Sequence, residues 1–336
     1  MAAGAAVAAL SESRPLAAAV ARQAGLALVP IEERRFEDGE FKLRPLESVR
    51  GRAVFVLQSL AGTELTPVCE RLVRLLFLLH ALRDAGAASL VALLPYLAFA
   101  RKDRRTQLRD PVASRYLAEQ LEACGLDGIV GLDVHNPAAF DNAFRVPTVH
   151  LSALPMMARH LAAGAAAKPL AVVSPDAGGI KRAQIFRERL MAEIGHDIDL
   201  AFVTKRRARD VVSGGCLYGE VAGRTAIVVD DLCATGGTLI RAAQACLHAG
   251  ADSVTVAVTH APMARGLAAL LATQAISCVL VTDSAGLDST AGSAAAAPGR
   301  LITLPVAPLF AEAVRRMAAG VAVAPLLEQW PPPREG

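Results

Sequence analysis

Ala226-Ile227-Val228-Val229-Asp230-Asp231-Leu232-Cys233-Ala234-Thr235-Gly236-Gly237-Thr238 is the stretch whose reading decides the fold. Its first four residues are a continuous apolar run, the pattern of a strand buried on both faces. Two adjacent acids follow, then a turn with a glycine pair, then an amphipathic segment that predicts a helix from about Leu239. A buried strand feeding a glycine turn and a helix is the repeating unit of a parallel α/β sheet.

The surrounding sequence repeats this unit. Gly51-Arg52-Ala53 opens a strand-like run, Val54–Leu60, as Gly223-Arg224-Thr225 opens Ala226–Asp230. Each is followed by a loop and a helix-length segment. These segments end in Asp84-Ala85-Gly86 and His248-Ala249-Gly250, with glycine where a helix C-terminus favours it. Buried strands Leu90–Leu94 and Val254–Val258 come next. Further on, Ile129–Asp133 pairs with Val279–Asp283, and Val149–Leu161 with Val306–Met317. The expected fold is therefore α/β: two tandem domains, each a mainly parallel sheet flanked by helices, divided at 1–153 and 154–336. The last helix, about Leu309–Ala318, can belong to either domain on this reading. Asp288–Gly299 reads as an exposed loop and Trp330–Gly336 as a frayed tail.

The 336 residues suit two domains and are 53% hydrophobic, enough for two cores. A formal charge of +3, from 35 basic and 32 acidic residues, argues against a nucleic-acid coat. The basic residues instead cluster at Arg101–Arg105 and Lys205–Arg209, which suits small phosphorylated ligands. Six scattered cysteines form no CxxC pair and read as reduced thiols. The Ala-rich N-terminus lacks a basic region before it, and no uncharged apolar run reaches membrane-spanning length. The expectation is a cytoplasmic protein without membrane or nucleic-acid partners.

The turn after Asp230 has a chemical reading of its own. Backbone N–H groups at a helix start and the positive end of its dipole attract an anion. Thr235 and Thr238 add hydroxyls, and Gly236 and Gly237 let a phosphate approach the backbone. Asp230 and Asp231 would repel that phosphate but suit vicinal ribose hydroxyls or Mg²⁺. A sugar phosphate explains both halves. The first copy has Ser59-Leu60-Ala61-Gly62-Thr63-Glu64-Leu65-Thr66 at this place, without the acid pair or the double glycine.

Other clusters end predicted strands or turns. They are Phe36-Glu37-Asp38-Gly39-Glu40, Pro95–Arg105, Asp133-Val134-His135-Asn136-Pro137, Ser174-Pro175-Asp176-Ala177-Gly178-Gly179, and Lys205-Arg206-Arg207 followed by Ser213-Gly214-Gly215. Taken singly, each is also what a solvated turn, a basic surface run or a structural histidine looks like. In this order they closely resemble the ribose-phosphate diphosphokinase family, over about residues 10 to 325. The resemblance implies two phosphoribosyltransferase-like domains. It also implies transfer of the β,γ-diphosphate of Mg-ATP to the C1 hydroxyl of ribose 5-phosphate.

Carried over by matching position, the resemblance assigns the nucleotide to Phe36, Asp38, Gly39 and Glu40 with Arg101, Lys102 and Asp103. It associates Mg²⁺ with His135 and Asp176, and gives catalysis to Lys205 and Arg207. Ribose 5-phosphate falls to Arg207, Asp230, Asp231, Ala234, Thr235, Gly236, Gly237 and Thr238. It further implies a homo-oligomer, at least a dimer and plausibly a hexamer, because the family offers the Phe36–Glu40 turn from a neighbouring subunit.

Three positions depart from the family pattern. Ala234 stands where many synthetases carry Asp, Lys102 where Gln is usual, and Leu65-Thr66-Pro67 replaces an Asn-containing stretch. Two other readings compete: a phosphoribosyltransferase that consumes phosphoribosyl diphosphate, which the 230–238 segment alone would allow, and a non-catalytic homologue.

Overall fold

Buried apolar strands alternate with helices along the chain, and the computed structural model arranges them as two parallel sheets. It describes residues 3–165, 169–208, 211–286 and 299–331, with only the backbone at 205–208 and 211–215. Nearly all of the loop expected at Asp288–Gly299, and the tail beyond Pro331, lie outside the described residues.

The chain divides into two units. The first comprises Met1–Ser152, Ser284–Gly286 and Pro305–Gly336; the second comprises Ala153–Asp283 and Leu287–Leu304. The C-terminal segment thus groups with the first unit, whereas a division at 153/154 assigns it to the second.

In the first unit the elements run β1 (Ala3–Ala8), α1 (Arg14–Ala24), β2 (Ala27–Val29), β3 (Ile31–Arg35), β4 (Phe41–Pro45) and β5 (Arg52–Leu57). They continue as α2 (Val68–Asp84), β6 (Ser89–Leu94), α3 (Ala113–Ala123), β7 (Gly128–Leu132), α4 (Pro137–Ala143) and β8 (Thr148–Leu151). The second unit holds α5 (Leu154–Ala165), β9 (Leu170–Ser174), α6 (Ile180–Ile194), β10 (Asp199–Ala208), β11 (Val211–Tyr218) and β12 (Thr225–Leu232). After these come α7 (Gly237–His248), β13 (Ser253–His260), α8 (Ala264–Ala272), β14 (Cys278–Thr282) and β15 (Leu301–Leu304). The chain then adds α9 (Ala307–Ala318), which packs on α1, and the short α10 (Pro325–Glu328) to the first unit.

The two sheets share one topology. The first is ordered β2-β1-β5-β6-β7-β8, with every neighbouring pair parallel. The second is β10-β9-β12-β13-β14-β15, again parallel, with β11 added antiparallel at its edge. Within each, the strand order reverses once: at β1/β5 in the first and at β9/β12 in the second. Such reversals splay the loops at the strand C-terminal ends and open a crevice for ligand.

The duplication extends to single hydrogen bonds. Gly86 and Gly250 end α2 and α7 with φ of 89° and 88°, a left-handed conformation that costs glycine little. The carbonyl of Gly86 accepts from Gly51 N–H at 2.8 Å, and that of Gly250 from Gly223 N–H at 2.9 Å. Each helix buries one stripe at i, i+3, i+4, i+7: Leu75, Leu78, Leu79 and Leu82 in α2, and Leu239, Ala242, Ala243 and Cys246 in α7. Leucine opens the stripe in both copies, and the second copy uses smaller residues at the three positions that follow. Shared cap geometry with different packing volumes is what tandem copies retain after their interiors have repacked separately.

Candidate active site

The reversal point of the second unit carries the first group of candidate residues. Strand β12 runs three residues further than the apolar pattern predicts, because Asp230 and Leu232 still pair with Val258 and His260 of β13. Both acids are therefore set by the sheet ladder itself. Helix α7 likewise begins at Gly237, two residues earlier than expected. Gly236 stands at its N-cap with φ 79°, and the Gly236 carbonyl accepts from Ile240 N–H at 2.9 Å. No side chain caps this end, so Gly237 and Thr238 present a helix start of the kind that receives anions.

Asp230 and Asp231 share a partner that the sequence reading passed over. Arg182, in the first turn of α6, places Nη1 3.0 Å from Asp230 Oδ1 and 3.1 Å from Asp231 Oδ1. Its signal in the sequence was only its place after Ser174–Gly179. Two neighbouring carboxyl groups thus share this guanidinium. Burial, then the charge of Asp231, pushes the Asp230 carboxyl well above the usual carboxylate range, against the pull of Arg182. A proton, a divalent cation or donating sugar hydroxyls can each complete this cluster.

Asp176 ends β9 on the other side of the same reversal point. Its Oδ1 accepts from Gly178 N–H at 2.9 Å and Gly179 N–H at 3.1 Å, so it builds its own turn. Among the described residues no three His, Cys, Asp or Glu side chains converge as an all-protein metal cage. The oxygen donors present suit Mg²⁺, which commonly takes one or two carboxylates and completes its shell with water and substrate phosphates.

Two further glycine features shape the loop. A Cβ on Gly266, in α8, would fall on the Ala234 carbonyl oxygen and 2.9 Å from its carbon, so only glycine lets α8 press against the loop. A Cβ on Gly236 would in turn stand 3.1 Å from the Gly266 carbonyl oxygen. Gly266 was missed because its role comes from a long-range approach of backbone to backbone. Cys233, within the loop, has its thiol pushed up to about 12 by burial and by Asp230, which disfavours a thiolate there.

The basic segment 205–210 was expected as a loop. The backbone instead continues β10 to Ala208 and returns as β11 from Val211, with Lys205 opposite Gly215 and Arg207 opposite Val212. Val211 and Val212 favour this pairing. Arg209 and Asp210 lie outside the described residues, as do the side chains of Lys205 and Arg207.

The first unit carries the remaining candidates. Phe36–Glu40 is the tip of the β3–β4 hairpin, closed by Phe36 N–H to the Glu40 carbonyl at 2.8 Å and Glu40 N–H to Asp38 Oδ1 at 3.0 Å. Gly39 has φ 91°, and Phe36 is 39% exposed with the Arg34 guanidinium 5.0 Å from its ring centre. Arg101, Lys102 and Asp103 follow β6. Asp103 Oδ2 accepts from Asn136 Nδ2 at 2.6 Å, which ties this loop to the one after β7. There Asp133 is buried with φ 36°, a strained value for a residue with a Cβ. Strand β8 holds the strain: Ser152 Oγ donates to Asp133 Oδ1 at 2.7 Å and Val134 N–H donates to His150 Nε2 at 3.0 Å. His135 leaves this clamped turn exposed. His135 belongs to the first unit and Asp176 to the second.

At the first unit's own reversal point the cradle is filled. Gln58, Ser59, Ser13 and Arg71 are all buried there. Ser59 N–H donates to Ser13 Oγ at 2.9 Å, and Arg71 Nη1 to the Ser59 carbonyl at 3.3 Å. A Cβ on Gly62 would stand 2.8 Å from the Val68 side chain and backbone nitrogen.

Comparison with known proteins agrees with this arrangement. Residues 5–125 match the family model for the N-terminal domain of ribose phosphate pyrophosphokinase, and residues 154–281 match that for the phosphoribosyl transferase domain. The ribose-phosphate pyrophosphokinase of Granulibacter bethesdensis is 36% identical over 96% of this chain and 99% of its own. That of Caldanaerobacter subterraneus subsp. tengcongensis is 36% identical over 93% of this chain and 94% of its own. The crystal structure of phosphoribosylpyrophosphate synthetase from Mycobacterium smegmatis superposes with a TM-score of 0.80 at 29% identity, covering 95% of this chain and 100% of that one. A duplicated α/β fold that matches these models over both copies defines an enzyme built from phosphoribosyltransferase-type domains. The chain belongs to the ribose-phosphate pyrophosphokinase family. A transferase that merely consumes phosphoribosyl diphosphate is not favoured, since these relatives match both copies of the domain.

Two outcomes are expected from this site. Gly266→Ala should displace the loop and raise the KM for ribose 5-phosphate about tenfold or more while leaving the KM for ATP near its original value; steady-state kinetics with each substrate varied decides this. The second concerns pH. In the fold Asp230 keeps its proton above 3.8, where the unfolded chain releases it. Stability therefore falls as pH rises from there, until the folded carboxyl also ionises. Asp230→Asn should remove that part of the slope in urea unfolding across pH, and an unaltered slope would mean that Asp230 is ionised throughout.

Proposed function

We propose that this chain transfers the β,γ-diphosphate of Mg-ATP to the C1 hydroxyl of ribose 5-phosphate, giving phosphoribosyl diphosphate and AMP. The observation that carries this reading is the cluster of Asp230, Asp231 and Arg182 beside the uncapped start of α7. It pairs a site for hydroxyls or a cation with a site for a phosphate.

On this reading the C1 oxygen attacks the β-phosphorus, the bond from that phosphorus to the α,β-bridging oxygen breaks, AMP leaves with that oxygen, and the hydroxyl proton is released. Such transfers depend on alignment and on neutralising negative charge. Thr235, Gly236, Gly237 and Thr238 hold the 5-phosphate, with Ala234 shaping the loop. Asp230 and Asp231 accept from the ribose hydroxyls and fix the sugar's orientation. Phe36, Asp38, Gly39, Glu40, Arg101, Lys102 and Asp103 take the nucleotide. Lys205 and Arg207 bring positive charge to the oxygens that gain negative charge in the transition state. His135 and Asp176 are the residues that would hold Mg²⁺, which would supply charge neutralisation on the phosphates when bound.

A homo-oligomer accompanies this reading, because the Phe36–Glu40 turn then serves a neighbouring subunit. No helix among the described residues is long and apolar enough to cross a membrane, which agrees with a cytoplasmic enzyme supplying nucleotide biosynthesis.

The direct test mixes purified protein with ATP, Mg²⁺ and ribose 5-phosphate and follows AMP and phosphoribosyl diphosphate, which should form in equal amounts. No AMP under varied Mg²⁺, phosphate and nucleotide conditions would sink the reading. Lys205→Ala should lower the maximal rate about a hundredfold or more with little change in ATP binding, because its charge acts mainly in the transition state. Unchanged turnover would remove Lys205 from the mechanism.

A further inference from the structure

Arg241 is the fifth residue of α7, one turn beyond Gly237. Helical side chains lean toward the helix N-terminus, which carries this guanidinium back over the first turn. Its Nη2 donates to Thr238 Oγ1 at 3.2 Å, and its Nη1 lies 3.4 Å from where a Cβ on Gly237 would stand. The same point is 4.0 Å from Thr235 Oγ1. A cation and the Thr235 hydroxyl thus stand beside the position that a side chain on Gly237 would take, and the cation also holds the Thr238 hydroxyl.

Helix stability does not account for this placement. The N-terminal end of a helix is its positive end, and a cation held there is repelled by it. The first turn of α7 holds no acid, and from Cys233 to Arg241 the chain has no carboxylate at all. Arg241 is exposed, and among the described residues its hydrogen bond to Thr238 is its recorded polar contact. A dianion at Gly237 would reverse the electrostatics, being attracted by the dipole and the guanidinium alike.

We propose that Arg241 binds the 5-phosphate of ribose 5-phosphate, as a charged donor added to the cradle of Thr235, Gly236, Gly237 and Thr238. This rests on the reading of that cradle as the sugar-phosphate site, and it makes the second unit's phosphate recognition partly a matter of full charge rather than of backbone dipoles alone. A surface arginine that merely covers Thr238 is the competing outcome.

The test uses the full-length chain and two variants, Arg241→Gln and Arg241→Lys. Because the residue is exposed, thermal unfolding should be little changed. Binding of ribose 5-phosphate, measured by titration calorimetry without turnover, should weaken about tenfold in Arg241→Gln and less in Arg241→Lys. In kinetics the loss should appear in the KM for ribose 5-phosphate and not in the KM for ATP. The salt dependence of that KM should become shallower in Arg241→Gln, since one exposed charge has been removed. Equal affinity of the parent chain and Arg241→Gln overturns the proposal, even if the parent makes phosphoribosyl diphosphate as expected. If the parent binds ribose 5-phosphate but releases no AMP, the catalytic reading fails while the affinities still decide the role of Arg241. If the parent does not bind ribose 5-phosphate, both fail.

Discussion

Two carboxylates answered by one guanidinium are the constraint around which the second unit is organised. Asp230 and Asp231 sit on consecutive positions of a central strand, where the ladder to β13 fixes them. Arg182 meets both from α6. Charges this close are held only when the surrounding backbone is over-determined, and here it is: the strand is flanked on both sides by parallel neighbours. Burial and the closeness of the two acids raise the proton affinity of Asp230, so the cluster is a strongly polar strand end rather than apolar core.

A short distance along the chain the polarity inverts. The uncapped start of α7 is electropositive, and Gly266 lets α8 brace the loop from behind without a side chain intervening. An acidic strand end and an electropositive helix start thus lie only a few residues apart, the pairing on which the proposed sugar-phosphate site rests. The reversal of strand order places both at the mouth of one crevice.

Much of this was legible in the sequence. The apolar runs marked the strands, the glycines after the helices marked the caps, and the Asp230–Thr238 segment marked the turn from β12 into α7. The duplication was visible because the cap glycines have conformations that few other residues adopt. What the sequence did not show depended on distance. Arg182 and Gly266 take their places from where α6 and α8 pack, and neither has a local pattern that announces it. The basic residues 205–208 run as strand where a loop was expected, because charge density hid the valines that carry the β11 pairing. The ends of β12 and α7 moved because pairing with β13 and a left-handed Gly236 extend both elements beyond what hydrophobic periodicity can register.

The first unit's reversal point has a consequence for the history of the fold. In place of a glycine loop it holds Arg71 against the Ser59 carbonyl, and Arg74 paired with both Glu12 and Glu33. These groups come from a helix, a hairpin strand and the segment after β1, so they are interlocked. Placing an acidic, glycine-rich loop there would strip partners from largely buried charges, and each stranded charge would weigh against folding. This copy is therefore committed: its crevice is mortised shut by ions from three elements, and no single substitution would open it.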